Sequence, residues 1–392
     1  MVNFQYYAPT KVVFGKDTEL QTGALAKEFG ANKVLVHYGG NSAVKSGLLE
    51  RVCNSLKEAN LPYVTLGGVV PNPRLSLVYK GIDLVKKEGV DFLLAVGGGS
   101  VIDSCKAIGY GVYNDCDPWL FYSKQAQAKG CLPVAAVLTI AAAGSEMSHS
   151  SVITNEDGWL KRGYSTDYAR CKFAVMNPEL TYTLPSYQTA SGCVDIMMHT
   201  MERYFSHEPH TELTDRFCES LIRTVMHNAQ ILMEHPTDYH ARAEVMWASS
   251  LSHNGLTGCG TVGDWASHQI EHELGGMFDV AHGAGLSAIW GSWARYVYQE
   301  NIAKFVQFAT HIMDIPDTYG TLQEIALAGI CAMEDFYRSI HMPTSLSELG
   351  IHPTDAQIEE LSEKCVFFGK RTVGTFKVLK AEDIQKIYQA AR

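Results

Sequence analysis

Three histidines crowd one short stretch of the chain. His268, His272 and His282 lie in the segment 264–285, which reads Asp-Trp-Ala-Ser-His-Gln-Ile-Glu-His-Glu-Leu-Gly-Gly-Met-Phe-Asp-Val-Ala-His-Gly-Ala-Gly. His268 and His272 are spaced i,i+4, so a helix would set both on one face. His282 follows the pair Gly275-Gly276, a break at which the chain can double back. A second i,i+4 pair, Asp195 and His199, sits in the apolar run 193–198. A carboxylate buried in such a run needs a partner or a metal, because an unpaired buried charge is expensive. One aspartate and several imidazoles suit Zn²⁺ or Fe²⁺. Spacing alone leaves two readings open. With 15 histidines in 392 residues, chance supplies about half an i,i+4 histidine pair, so the alternative is a set of unrelated core and surface histidines.

A different chemistry is suggested by Gly97-Gly98-Gly99-Ser100, which follows the apolar run 92–96. A glycine turn between a strand and a helix lets the backbone approach a phosphate, and the helix N-terminus presents free N–H groups to it. The turn is not the G-x-G-x-x-G pattern, and a plain strand–helix turn reads the same way. Asp103 and Lys106 follow on the first turns of that helix, where Asp103 suits the helix dipole. The run 33–38 ends in Tyr38-Gly39-Gly40-Asn41-Ser42, with Lys45 beyond and no acidic residue. An acid there would hold the ribose 2′-OH of NAD, so its absence tilts the expectation to NADP, while a neutral loop still tolerates NAD.

The elements that must carry these groups fall into two textures. Up to residue 185, apolar strand-like runs at 11–15, 33–38, 63–67, 92–96, 134–137, 152–154 and 173–176 alternate with helical spacing at 17–29, 42–59 and 75–88. That alternation predicts a parallel, Rossmann-like sheet covered by helices, an α/β domain over residues 1–185. Beyond Leu184-Pro185-Ser186 the strand-like runs largely vanish and Ser186 reads as a helix N-cap. Helical periodicity covers 187–205, 215–233, 239–256, 283–298, 303–312, 322–340, 356–367 and 381–392, which predicts an all-α domain over residues 186–392.

Composition narrows the partners. A formal net charge of -10 argues against nucleic acid, whose binding rests on cationic neutralisation of phosphates. No run approaches the roughly 20 apolar residues that span a bilayer. The start of the chain lacks the pattern of a signal peptide, and the ten cysteines include no C-x-x-C pair. The expectation is a cytoplasmic protein with reduced thiols.

Taken together, these motifs resemble a known family, the iron-containing or group III metal-dependent alcohol dehydrogenases, in the branch of butanol dehydrogenases and broad-range aldehyde reductases. The resemblance runs along essentially the whole chain. It includes Phe14-Gly15-Lys16, Tyr38-Gly39-Gly40, Pro71-Asn72-Pro73, Gly97 to Ser100 with Asp103 and Lys106, Asp117-Pro118-Trp119, Gly144-Ser145-Glu146, Asn177-Pro178, Asp195-x-x-x-His199, Met246-Trp247-Ala248 and the histidine segment. It implies a dehydroquinate-synthase-like fold and one divalent ion, Fe²⁺ or Zn²⁺, on Asp195, His199, His268 and His282. His272 then lies by the substrate without being a ligand, as the candidate for passing the alcohol proton to solvent. The implied NADP or NAD contacts are Gly39, Gly40, Ser42, Gly97, Gly98, Gly99, Ser100, Asp103, Thr139, Ser148, Lys161 and Leu180. The chain departs from the pattern at Ala142-Ala143, where many relatives carry Ala-Thr, and at Ser148, where aldehyde reductases carry Asn. The implied activity is reversible hydride transfer between a primary alcohol or aldehyde and the nicotinamide, in a homodimer. Alternatives are a glycerol dehydrogenase-like polyol oxidoreductase, a dehydroquinate-synthase-like lyase, which would use a glutamate and two histidines as ligands, and a non-catalytic metal- or nucleotide-binding protein.

Overall fold

Six apolar runs in the first half of the chain assemble one fully parallel sheet in the computed structural model, which describes all residues from Met1 to Arg392. The strands are β1 (Lys11–Phe14), β2 (Val34–Tyr38), β3 (Tyr63–Leu66), β4 (Phe92–Gly97), β5 (Val134–Leu138) and β8 (Phe173–Met176), in the order β1-β8-β5-β4-β2-β3. Alternate residues serve opposite faces. Val34, Val36, Phe92, Leu94, Val96, Ala135, Val137, Phe173 and Val175 form one buried layer with Leu25, Ala26, Leu48, Val52 and Leu56. The last five come from α1 (Thr22–Glu28) and α3 (Leu48–Glu58), which precede and follow the short helix α2 (Ser42–Lys45). The opposite face lies under α4 (Leu75–Glu88) and α5 (Gly99–Asn114); α6 (Trp119–Tyr122) follows.

The helical spacing expected over 42–59 is interrupted at Gly47, whose φ of 70° ends one helix and starts the next. The sheet is not the whole β structure. β6 (Ser150–Asn155) pairs antiparallel with β7 (Leu160–Ser165) in a separate two-stranded ribbon. β7 escapes a hydrophobicity reading because its sequence is Leu-Lys-Arg-Gly-Tyr-Ser, with Lys161 and Arg162 nonetheless buried.

The rest is helical: α7 (Ser186–Tyr204), α8 (Glu212–Glu234), α9 (Tyr239–His253), α10 (Ala266–Phe278), α11 (His282–Val297), α12 (Ile302–His311), α13 (Leu322–Ser339), α14 (Asp355–Cys365) and α15 (Ala381–Ala391). The chain divides into two compact units, Tyr7–Leu184 and a helical unit of Pro185–Arg392 joined by Met1–Tyr6. Ser186 is the first helical residue rather than the cap; Pro185 takes the cap position without a side-chain hydrogen bond. Gly275-Gly276, expected to break the helix, lies inside α10, and the chain reverses at Asp279 with φ 53°. No helix is long and apolar enough to cross a membrane.

Candidate functional site

Helix α7 is buried beyond its first turn, from Thr189 through Tyr204. A helix apolar all round belongs in a core, so its few polar side chains must be answered locally. Asp195, His199 and Glu202 fall at i, i+4 and i+7, on one face. Opposite them come α10, which supplies His268, and α11, whose first residue is His282. A Cβ on Gly283 would stand 1.9 Å from the carbonyl oxygen of Ser191. Glycine beside His282 is therefore what allows α11 to close on α7 and bring the imidazole to Asp195.

The three side chains meet. His268 Nε2 and His282 Nε2 each lie 3.7 Å from Asp195 Oδ1, and all three atoms are within 4.8 Å of one another. At 3.7 Å these contacts are too long for hydrogen bonds. They match the separation of about 3.4 Å expected between two tetrahedral ligands of one ion at about 2.1 Å. His268 Nε2 is buried and has no hydrogen-bond partner, and Asp195 Oδ1, equally buried, has only the ring nitrogen of His199 at 2.9 Å. Two such atoms aimed at one point are costly without a shared partner, and a divalent cation satisfies both. The donor set fits a metal.

The outer nitrogens are engaged. His268 Nδ1 donates to Glu202 Oε1 at 2.8 Å, and His282 Nδ1 bonds to Glu271 Oε2. Each bond fixes the tautomer that leaves Nε2 for the centre. Burial works against charge on Asp195, but His199, His282 and His268 more than offset it and hold the carboxyl well below the usual carboxylate range. Burial takes His199 down to about 4 despite Asp195. For His268 burial is again opposed, here by Asp195 and Glu202, which lift it to about 9. The pocket's own electrostatics favour a cation.

His199 stands beside this trio without joining it. Its Nδ1 donates to its own helix carbonyl at Asp195, 2.9 Å away, and lies 2.9 Å from Oδ1 of the same residue. Its ring packs 4.4 Å from His268 and 4.1 Å from His253, centre to centre. His272, half-buried one turn beyond His268, has its ring 5.7 Å from that of His282 and 6.5 Å from that of His268. Glu271, His272 and His282 make a second close group. Glu271 already serves His282 through Nδ1, so the Asp195 group is the better ligand set. Glu202, Glu271 and His253 were not singled out from sequence. The signal for Glu202 was present, three residues after His199 and on the face of α7 that carries Asp195.

In the α/β unit, the sheet order reverses between β2 and β4, since β2 leads outward to β3 and β4 leads the other way to β5. Ligands of doubly wound sheets bind outside the carboxyl ends of the strands at such a point. Gly39 and Gly40 end β2, and Gly97-Gly98-Gly99 end β4. A Cβ on Gly98 would come within 2.0 Å of Ile140 Cγ2, so only glycine fits where the turn meets the loop after β5. Thr139 N donates to the Gly97 carbonyl at 3.2 Å, and a Cβ on Gly39 would face Val101 at 3.8 Å. The turn, Thr139 and the end of β2 are thus gathered together; Ser42 is exposed at the start of α2.

Asp103 and Lys106 turn out to be struts. Asp103 accepts from Ser145 Oγ at 2.5 Å and from Val152 N at 2.8 Å. Lys106, fully buried, donates to the carbonyls of Ser145, Ser148 and Ser150 at 2.8, 3.0 and 2.7 Å. Both carboxylate oxygens of Asp103 therefore hold protein, not ligand. The Ser148 hydroxyl is turned to the backbone of Ser150. Lys161 is buried on β7 opposite Thr154, and Leu180 packs against the sheet core.

Comparison with known proteins completes the description. Residues 9–178 match the family model for iron-containing alcohol dehydrogenase, and residues 189–392 match that for the C-terminal part of the Fe-containing alcohol dehydrogenase family. The chain is 40% identical over 391 residues to the probable NADH-dependent butanol dehydrogenase 1 of Bacillus subtilis, covering 100% of both. It is 33% identical, again with 100% coverage of both, to the NADPH-dependent aldehyde reductase YqhD of Escherichia coli. The crystal structure of NADH-dependent butanol dehydrogenase A from Thermotoga maritima superposes with a TM-score of 0.95 at 37% identity, covering 99% of this chain and 98% of that one.

Proposed function

The chain belongs to the iron-containing alcohol dehydrogenase family, and on that premise we propose that it interconverts primary alcohols and aldehydes of the butanol–butanal type using NAD(P) and one divalent ion. The observation that carries the site assignment is the convergence of Asp195, His268 and His282, with His268 Nε2 buried and without a hydrogen-bond partner. His199 completes the ligand set, its Nδ1 being committed to the Asp195 carbonyl. When bound, the ion supplies Lewis acidity to the substrate oxygen, and the nicotinamide carries the hydride.

The protein's own groups do the rest. Asp195 brings the one formal negative charge among the four ligands. Glu202 and Glu271 hold two imidazoles with Nε2 turned to the centre. The Gly97–Ser100 turn and the first N–H groups of α5 cradle the pyrophosphate, with Gly39, Gly40, Ser42 and Thr139 alongside. His272 gives or takes the alcohol proton at its imidazole, outside the ligand set. The loop Gly39-Gly40-Asn41-Ser42 has no carboxylate, so it accepts a 2′-phosphate as well as a 2′-hydroxyl, and the relatives include enzymes named for each cofactor. The working form under this proposal is a cytoplasmic homodimer.

Oxidation of NADPH and of NADH at 340 nm with butanal, before and after EDTA and after return of Fe²⁺ or Zn²⁺, tests the reading. Activity lost to EDTA and restored by an ion is the expected result. Bound metal and cofactor with no turnover on any aldehyde, alcohol or polyol would replace the enzyme with a binding protein.

A further inference from the structure

Two carboxylates behind the trio have no place in the ligand set, and their geometry is specific. Glu202 Oε1 accepts twice from the same residue, from His268 Nδ1 and from the His268 backbone N–H, both at 2.8 Å. The Glu202 carbonyl also accepts from Asp264 N at 2.7 Å. Glu202 is 3% exposed and sits on α7, the helix that carries Asp195. One residue of α7 thus grips the segment that starts α10 at three points, and sets the imidazole relative to Asp195. Glu271, on α10 and fully buried, holds His282 at one point, the ring Nδ1. Space for it is built in, because a Cβ on Gly285 would stand 2.8 Å from Glu271 Cγ and 2.9 Å from its Oε1.

Burying two carboxylates is unfavourable unless each is compensated. If they served only to tie helices together, an amide would make the same hydrogen bonds at lower desolvation cost. A negative charge on Nδ1–H does something an amide does not: it raises the donor strength of Nε2 toward a cation and locks the ring plane. We infer that Glu202 and Glu271 are positioning residues that set the affinity of the centre for its divalent ion by charge as well as by orientation. The inference rests on the Asp195, His268 and His282 ligand assignment, and goes beyond it.

The test is titration of the chelated, metal-free protein with Co²⁺ and with Zn²⁺, read by calorimetry and by the visible absorption of Co²⁺, for wild type, Glu202→Gln, Glu271→Gln and Glu202→Ala. Asp195→Asn and His268→Ala serve as ligand controls. Glutamine keeps an acceptor for both His268 donors, so a thermal melt of the metal-free protein should move little for Glu202→Gln, while affinity falls roughly 10- to 100-fold. The Co²⁺ spectrum should shift in the glutamine variants as imidazole donation weakens. Glu202→Ala should lose more affinity and also melt lower; should it fail to fold, the glutamine variants decide alone. Wild-type affinity and spectrum in both glutamine variants would overturn the inference and leave the ligand assignment standing. No stoichiometric binding by wild type, or unchanged binding by the two ligand controls, would overturn the ligand assignment itself and the inference with it.

Discussion

At the scale of single residues, the proposed roles separate groups that would hold an ion from the one left to move a proton. His268, His272 and His282 look equivalent as letters, but their surroundings differ. The outer nitrogens of His268 and His282 face buried carboxylates, which turns Nε2 inward, whereas His272 is half-buried with its ring 6.5 Å from His268. His272→Ala should therefore retain stoichiometric metal and lose kcat by roughly 10² to 10⁴, the usual contribution of a general acid–base group. Metal analysis beside steady-state kinetics checks both halves. Unchanged turnover would remove the relay role, and lost metal would make His272 part of the metal site. The i,i+4 spacing that made the segment conspicuous joins one member of the trio to a residue outside it; the group that meets at Asp195 comes from three helices.

At the scale of elements, what had to be built is the approach of α11 to α7. Gly283 is the contact point, and the atom it faces is a backbone oxygen that cannot rotate away. Gly283→Ala should displace the start of α11, cost about 1–3 kcal/mol of stability as an overpacked contact, and weaken metal binding because His282 is the neighbouring residue. A denaturant titration and a Zn²⁺ titration of the same preparation read the two effects; loss of neither would mean that the helices re-seat freely. The six sheet strands and the long helices were legible in sequence because their apolar periodicity is strong. β7 was not, since buried Lys161 and Arg162 hide it from any hydrophobicity pattern. The continuity of α10 through Gly275-Gly276 was equally hidden, because a helix tolerates glycine wherever packing secures it. Asp195, His268 and His282 stand out as residues, and Glu202 shares their helix face, but the pairing of Glu202 and Glu271 with histidines 66 and 11 residues away is not legible, because only folding brings them together.

At the scale of the whole molecule, chelation and acid reach the two compact units differently. Under the proposed ligand set, chelation acts on the helical unit, where an ion at 1,000 times its dissociation constant would contribute about 4 kcal/mol. Acid acts on both units, through buried His199 in the helical one and through His37 in the α/β one. That side chain is completely buried on β2, donating from Nδ1 to the Leu66 carbonyl of β3 at 2.8 Å and accepting at Nε2 from Ser104 Oγ of α5 at 2.9 Å. Burial depresses it to about 4, only partly relieved by the Leu66 bond. The unfolded chain binds the proton near pH 6.5, so the stabilisation from a neutral His37 is complete above that value and is lost as pH falls towards 4. The full difference is about 3 kcal/mol, a large share of what holds a domain folded. Protonation would reverse the Ser104 bond, with Nε2 donating to Oγ, and set a buried charge between β2 and α5. Hydrogen exchange followed by segment between pH 7 and 4.5 should show β2, β3 and α5 losing protection, and His37→Asn, which keeps a donor for Leu66 but gains no proton, should flatten that dependence. EDTA at pH 7 should instead open α7, α10 and α11. A single transition with the same pH dependence in both units and in both proteins would mean that acid does not act through His37.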